Sequence, residues 1–182
     1  MKKIVAFGAS SSKNSINKKL AIYAAKQILN CKIIVLDLND YEMPIYSEDR
    51  DRLEGIPKKA LEFKKIIKQT DGIIISFAEH NGAYTSAFKN IFDWISRIDK
   101  VVWYNKPMFL MSSSNGSRGA QLVLEMAHSR ISHGNPFNIP MFSLPNFHDN
   151  FHEKEGILDL MLKENFLKAL SSFESNLYGK KL

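Results

Sequence analysis

Apolar residues follow two alternating rhythms along this chain. Short, nearly unbroken apolar runs at residues 3–8 (KIVAFG), 32–38 (KIIVLDL), 72–75 (GIII), 107–111 (PMFLM) and 138–144 (NIPMFSL) predict buried strands. Between them apolar positions recur at helical spacing: Ile16, Leu20, Ala24 and Ile28, then Ile56, Ala60, Phe63 and Ile67. A third helical stripe runs through Tyr84, Ala87, Phe88, Ile91, Trp94, Ile95 and Ile98, and a fourth through Leu122, Val123, Met126 and Ala127. A last helix is expected over residues 157–178, docking through Phe166, Leu170, Phe173 and Leu177. Pro57 suits a first helical turn, and Pro140 suits an edge strand because proline cannot donate to a ladder. The connection over residues 39–55, with Pro44 and the charged run Glu48-Asp49-Arg50-Asp51, reads as a long, functional loop.

Strand and helix alternate from the first residues without repeats or a linker, so residues 1–182 read as a single domain. The first strand, helix and second strand form a βαβ unit, which demands parallel strands and a right-handed crossover. The expected fold class is α/β: a flavodoxin-like, doubly wound, five-stranded parallel sheet in the order 2-1-3-4-5, with helices on both faces. Such sheets hold ligands beyond the carboxyl ends of their strands, where the winding reverses. The loops after strands one, three and four therefore converge. They span residues 9–17, 78–84 and 112–119.

Each loop has a chemistry. Ala9-Ser10-Ser11-Ser12-Lys13-Asn14-Ser15-Ile16-Asn17 offers hydroxyls and backbone N–H groups at a helix start, which suits a phosphate monoester; the plain alternative is that Ser15 or Asn14 is an N-cap. Neither G-x-G-x-x-G nor G-K-[ST] occurs there, which disfavours a dinucleotide fingerprint and a triphosphatase loop. The second loop sets Glu79, His80, Asn81 and Tyr84 around Gly82. A flavin ring needs donors along its edge and close backbone approach, which glycine permits. The plain alternatives are a loop histidine at His80 and a Glu79 that orients loop amides. In the third loop, Ser114 and Gly116 suit the pyrimidine edge of such a ring, and Arg118 is expected to meet a neighbouring carboxylate.

Composition changes this picture little. The formal net charge of +6 arises from 25 basic and 19 acidic residues in short clusters such as Lys18-Lys19, Lys58-Lys59, Lys64-Lys65 and Lys180-Lys181, which read as solvated helix faces and not a nucleic-acid stripe. The single cysteine, Cys31, excludes an internal disulfide and a multi-cysteine zinc site. His148, Asp149, His152 and Glu153 read as a solvated loop, so no metal is expected. Residues 101–104 (VVWY) read as core or as an exposed apolar patch, and their place between a helix and a strand suits an oligomer contact or a pocket wall. No apolar run approaches the roughly 18–20 residues of a membrane span, and cytoplasmic residence is the expectation.

Taken together the loops resemble the NADPH-dependent FMN reductase family, which includes quinone, chromate and azo-dye reductases. Its first motif, G-S-x-R-x-x-S-x-N, is matched at Ser10, Ser15 and Asn17, with Ala9 in place of glycine and Ser12 in place of arginine, for which Lys13 is the candidate substitute. Its second, P-E-Y-N-G-S-Y followed by K-N-x-x-D-W, is matched at Glu79, Asn81, Gly82 and Tyr84 and at Lys89, Asn90, Asp93 and Trp94, with Ala78, His80 and Ala83 departing. The third corresponds to residues 112–120. The resemblance implies bound FMN, hydride transfer from NADPH or NADH, a small acceptor such as FMN or a quinone, and a homodimer or homotetramer with flavin near the interface. Ser10, Ser12, Ser15 and Asn17 would hold the phosphate, Glu79, His80, Asn81, Gly82 and Tyr84 the ring, and Ser114 and Gly116 its pyrimidine edge; no catalytic side chain is assigned. The alternatives are a flavodoxin-like electron carrier without a nicotinamide site, which the basic balance disfavours, and a flavin-free regulatory module.

Overall fold

The computed structural model describes residues 1–179, so the pair Lys180-Lys181 lies outside the described residues. Strand β1 (Lys2–Ala9) leads into helix α1 (Ile16–Lys26) and back through β2 (Cys31–Val35). A 3-10 turn at Leu38–Tyr41 and helices α2 (Glu48–Glu54) and α3 (Lys58–Lys68) precede β3 (Gly72–Phe77). A hairpin of β4 (Glu79–His80) and β5 (Ala83–Tyr84) is followed by α4 (Ser86–Ile98), β6 (Met108–Ser113), α5 (Gln121–Ser132) and β7 (Met141–Leu144). A short helix α6 (Phe147–Asn150), a second hairpin of β8 (Phe151–His152) and β9 (Gly156–Ile157), and the long α7 (Leu160–Tyr178) follow.

Among the described residues, five strands form one parallel sheet in the order β2-β1-β3-β6-β7, the predicted 2-1-3-4-5 when sheet strands alone are counted. Alternate residues serve opposite faces, as a pleated strand requires. Val5, Phe7, Ile73, Ile75 and Leu110 face α3, α4 and α5, whereas Ile4, Ala6, Ile74, Phe109 and Met111 face α1 and α7. The register aligns Gly8 with Ser76 and Phe77 with Ser112, so the carboxyl ends of β1, β3 and β6 finish together. Their outgoing loops share one edge.

The structure corrects several boundaries. The 39–55 connection is not a plain loop. Ser47 caps α2 by accepting from the Arg50 N–H at 3.2 Å, and the acidic first turn of Glu48, Asp49 and Asp51 suits the positive end of a helix. Pro57 is the N-cap of α3 instead of its first-turn residue. Strand β6 runs on through Ser112 and Ser113, both buried, so the third loop begins at Ser114. Strand β7 is an edge strand as expected, but it starts just after Pro140. Asp159 caps α7 by accepting from Leu162 N–H at 2.8 Å, so the helix begins at Leu160, three residues beyond the predicted start. Helix α5 buries Val123, Leu124, Ala127 and Ile131; Leu122 and Met126, placed on its apolar stripe by spacing, are exposed.

Lys64 is the one charged residue in the buried core of the described chain, 2% exposed on the inner face of α3. Its ammonium donates to the Val102 carbonyl at 2.6 Å and lies 4.4 Å from the centre of the Tyr104 ring, so it pins the turn between α4 and β6. Burial pushes its pKa down to about 8, with Asp99 opposing and Lys68 reinforcing the shift. Because the folded value lies below the ordinary lysine value of 10.5, the unfolded chain binds more protons between these limits, and this group makes stability rise with pH there. Thermal melts at pH 8 and pH 10 are expected to show that rise diminished in Lys64→Met; an identical pH dependence in both proteins would contradict it.

Candidate active-site cleft

Ser10, Ser12 and Ser15 organise the turn after β1. Ser10 N–H returns to the Gly8 carbonyl at 2.8 Å, Ser12 N–H donates to Ser10 Oγ at 3.1 Å, and Ser15 N–H reaches the Ser12 carbonyl at 3.2 Å. Ser15 then caps α1 through Lys18 N–H at 3.1 Å. The capping reading and the anion-binding reading are compatible. One hydroxyl satisfies one amide, and the first-turn amides of Ile16 and Asn17 have no acceptor within the helix. Gly8 permits the tight seat of the helix: a Cβ there would lie 2.4 Å from the Lys18 nitrogen.

Asn17 points inward. Its Nδ2 donates to the Ser113 carbonyl at 3.0 Å and its Oδ1 accepts from Ser76 Oγ at 2.7 Å, with 2% of the residue exposed. Its side chain thereby ties the start of α1 to the ends of β3 and β6. A phosphate role for Asn17 falls to its backbone amide, since its carboxamide is already engaged.

The second loop is a hairpin. Asn81 and Gly82 both have positive φ, 53° and 73°, as the mirror-image two-residue turn of a β-hairpin requires. Glu79 accepts from the Val123 N–H at 3.1 Å, satisfying an amide in the first turn of α5, whose N-cap Ala120 is left-handed and offers no side-chain cap. Orienting amides is thus an observed role of Glu79. Tyr84 lies in the hairpin and not on α4, with its ring packed among Phe77, Phe88 and Phe92. Its hydroxyl is buried without a partner, and burial pushes its pKa up to about 12, with Arg130 pulling the other way.

The third loop is held at its base. Ser112 and Ser143 hydroxyls both donate to the Gly119 carbonyl, at 2.7 and 2.9 Å, and a Cβ at Gly119 would meet Ser143 Oγ at 2.3 Å. Arg118 is exposed and forms no ion pair among the described residues, so the carboxylate partner expected for it is absent.

The three loops enclose an open cleft of about 520 Å³ at the carboxyl edge of the sheet. Of the residues predicted from sequence, Ser10, Ser12, Ser15, Asn17, Glu79 and Ser114 line it; His80, Asn81, Gly82, Tyr84 and Gly116 do not. Asn115, in the third loop read as facing the ring, lines it too, whereas sequence reasoning gave no site role to Ser113 or His148, which also form its wall. The carboxyl-edge rule would have found His148 had it been applied to the loop after the fifth strand as well. Among the described residues no group of three metal-ligating side chains exists, and no helix is long and apolar enough to cross a membrane.

A parallel doubly wound sheet with a serine turn at the helix start after its first strand defines an α/β protein suited to a phosphate-bearing cofactor. The chain belongs to the NADPH-dependent FMN reductase family, whose model matches residues 2–149. By class it is an NAD(P)H-dependent flavin oxidoreductase with FMN as cofactor. It is 30% identical over 160 residues to an uncharacterised protein of Mycoplasma pneumoniae, a match covering 83% of this chain and 92% of that one. It is 31% identical over 123 residues to 2-hydroxy-1,4-benzoquinone reductase of a Burkholderia species, covering 66% and 65%. Among solved structures, FerB, a flavoenzyme NAD(P)H:(acceptor) oxidoreductase from Paracoccus denitrificans, matches with a TM-score of 0.77 at 22% identity over 100% of both chains, which shows the shared fold.

Proposed function

We propose that this protein is an NAD(P)H oxidoreductase that holds FMN in the 520 Å³ cleft and passes electrons to a small, flat acceptor of the quinone class. The observation that carries the reading is the convergence, on that single cleft, of the serine turn, Glu79 and residues 113–115. The chemistry that FMN supplies when bound is two-electron transfer between a nicotinamide and an acceptor. The chain supplies the seat. The amides of Ile16 and Asn17 and the hydroxyls of Ser10, Ser12 and Ser15 suit the phosphate, with the positive end of α1 behind them. Ala78, Glu79 and Ser114 border the space left for the ring. The quinone class rests on the Burkholderia benzoquinone reductase among the relatives.

Purified protein is expected to carry or take up FMN, seen as visible flavin absorbance, and to be bleached anaerobically by NADPH or NADH. Protein that stays colourless after incubation with FMN would overturn the flavin reading. Bound flavin that neither nucleotide bleaches would instead leave an electron carrier.

A further inference from the structure

We propose that His148 is a ligand of the phosphate group seated at the start of α1, an inference that rests on reading the cleft as an FMN site. The short helix α6 that carries it follows β7, and its exposed imidazole lines the same cleft as Ser10, Ser12, Asn14 and Ser15. The placement is built into the backbone. Asn146 N–H donates to the Gly116 carbonyl and Phe147 N–H to the Ser114 carbonyl, each at 3.1 Å, so the turn after β7 is latched onto the loop after β6. Asn146 holds a left-handed φ of 45°, and Asn150 Nδ2 closes on the Pro145 carbonyl at 3.0 Å. The side chain before His148 is the anchor: Phe147 is buried and stacks on Phe151 with ring centres 4.8 Å apart.

Charge supplies the reason for an imidazole here. A phosphate monoester brings between one and two negative charges at neutral pH, and a helix terminus offers only about half a positive one. The other side chains lining the cleft are serines, asparagines, Ile16, Ala78 and the carboxylate of Glu79, so among the described residues His148 is the one wall residue able to carry a positive charge. Lys13 is exposed and is not a wall residue, and the Lys18 ammonium is committed to Asp37. Ser12, exposed at the cleft, is uncharged, so no wall residue of the serine turn brings a side-chain cation to the phosphate seat. An imidazole N–H donates to a phosphate oxygen in its neutral form and more strongly when protonated. Its plain alternative, a solvated histidine on a surface turn, predicts that removing the imidazole leaves FMN and riboflavin binding equally unchanged.

The test compares FMN with riboflavin, which lacks the phosphate. Flavin-stripped full-length protein is titrated with each at pH 7, following flavin fluorescence, in the wild type, His148→Ala and His148→Gln. His148→Ala is expected to weaken FMN binding by about tenfold and to leave riboflavin binding unchanged, as removal of one charge-assisted phosphate contact requires. His148→Gln, which keeps an N–H donor without a charge, is expected to fall between. Equal weakening of both flavins, or unchanged FMN binding, overturns the assignment. A wild type that binds neither flavin overturns the cofactor reading and the proposal with it, an outcome distinct from failure of His148 alone.

Discussion

Gly8→Ala is expected to cost about 3 kcal/mol of stability and to lower the melting temperature by roughly 6–12 °C. The new methyl would sit 2.4 Å from the Lys18 nitrogen and 2.8 Å from both the Asn17 carbonyl carbon and the Lys18 Cα. All three are backbone atoms of the first turn of α1, so no flexible side chain can yield. Either α1 lifts from β1 or the end of β1 bends. Both routes disturb the serine turn, which hangs between them. FMN affinity is therefore expected to fall by more than about tenfold, because helix-terminal amides bind an anion only while they remain aimed at it. Gly116→Ala is the control for stability: its nearest neighbour would be Ser114 Oγ at 3.9 Å, ordinary contact, and its melting temperature should match the wild type. A Gly8→Ala protein with wild-type melting and flavin titration would show that the strand and helix are less tightly seated than these distances imply.

The contrast between Gly8 and the rest of the site explains how much was legible beforehand. Periodicity yields the strands and helices, because a strand buried on both faces and a helix buried on one leave different spacings, and the strand order comes from matching their alternation to a doubly wound sheet. Local rules also suffice for Ser15 as a cap. They fail where distant segments decide. Tyr84 fits the apolar stripe of α4 by spacing, yet Asn81-Gly82 turns the chain back first, so its ring enters the aromatic cluster from the hairpin. Ser112 and Ser113 read as loop residues by their polarity; the strand continues through them because their hydroxyls find the Gly119 and Leu144 carbonyls, at 2.7 Å each. His148 lies on no periodic stripe; the carboxyl-edge rule points only to its loop, and the latch between the loops after β6 and β7 is what seats it in the cleft. No sequence period encodes a latch.

Asn17→Leu, which keeps nearly the same volume, is expected to destabilise the protein by about 2–4 kcal/mol. The substitution removes both hydrogen bonds of the carboxamide and leaves two groups unpaired, the Ser76 hydroxyl and the Ser113 carbonyl, where water cannot replace the partner. Unpaired buried groups cost more than the bonds themselves were worth, so the loss should exceed that of an ordinary surface asparagine. Ser76→Ala made together with Asn17→Leu removes one of the orphans, and the double variant is expected to regain about 1 kcal/mol relative to Asn17→Leu alone. The motif suggested a phosphate ligand at this position; the geometry instead gives its side chain the task of tying α1 to the strands that end at β3 and β6. The two roles predict different measurements. An anchor loses melting temperature and flavin affinity together, and loses riboflavin along with FMN because the whole edge loosens. A direct phosphate contact through the carboxamide would lose FMN alone at an unchanged melting temperature, and that result would reverse the assignment.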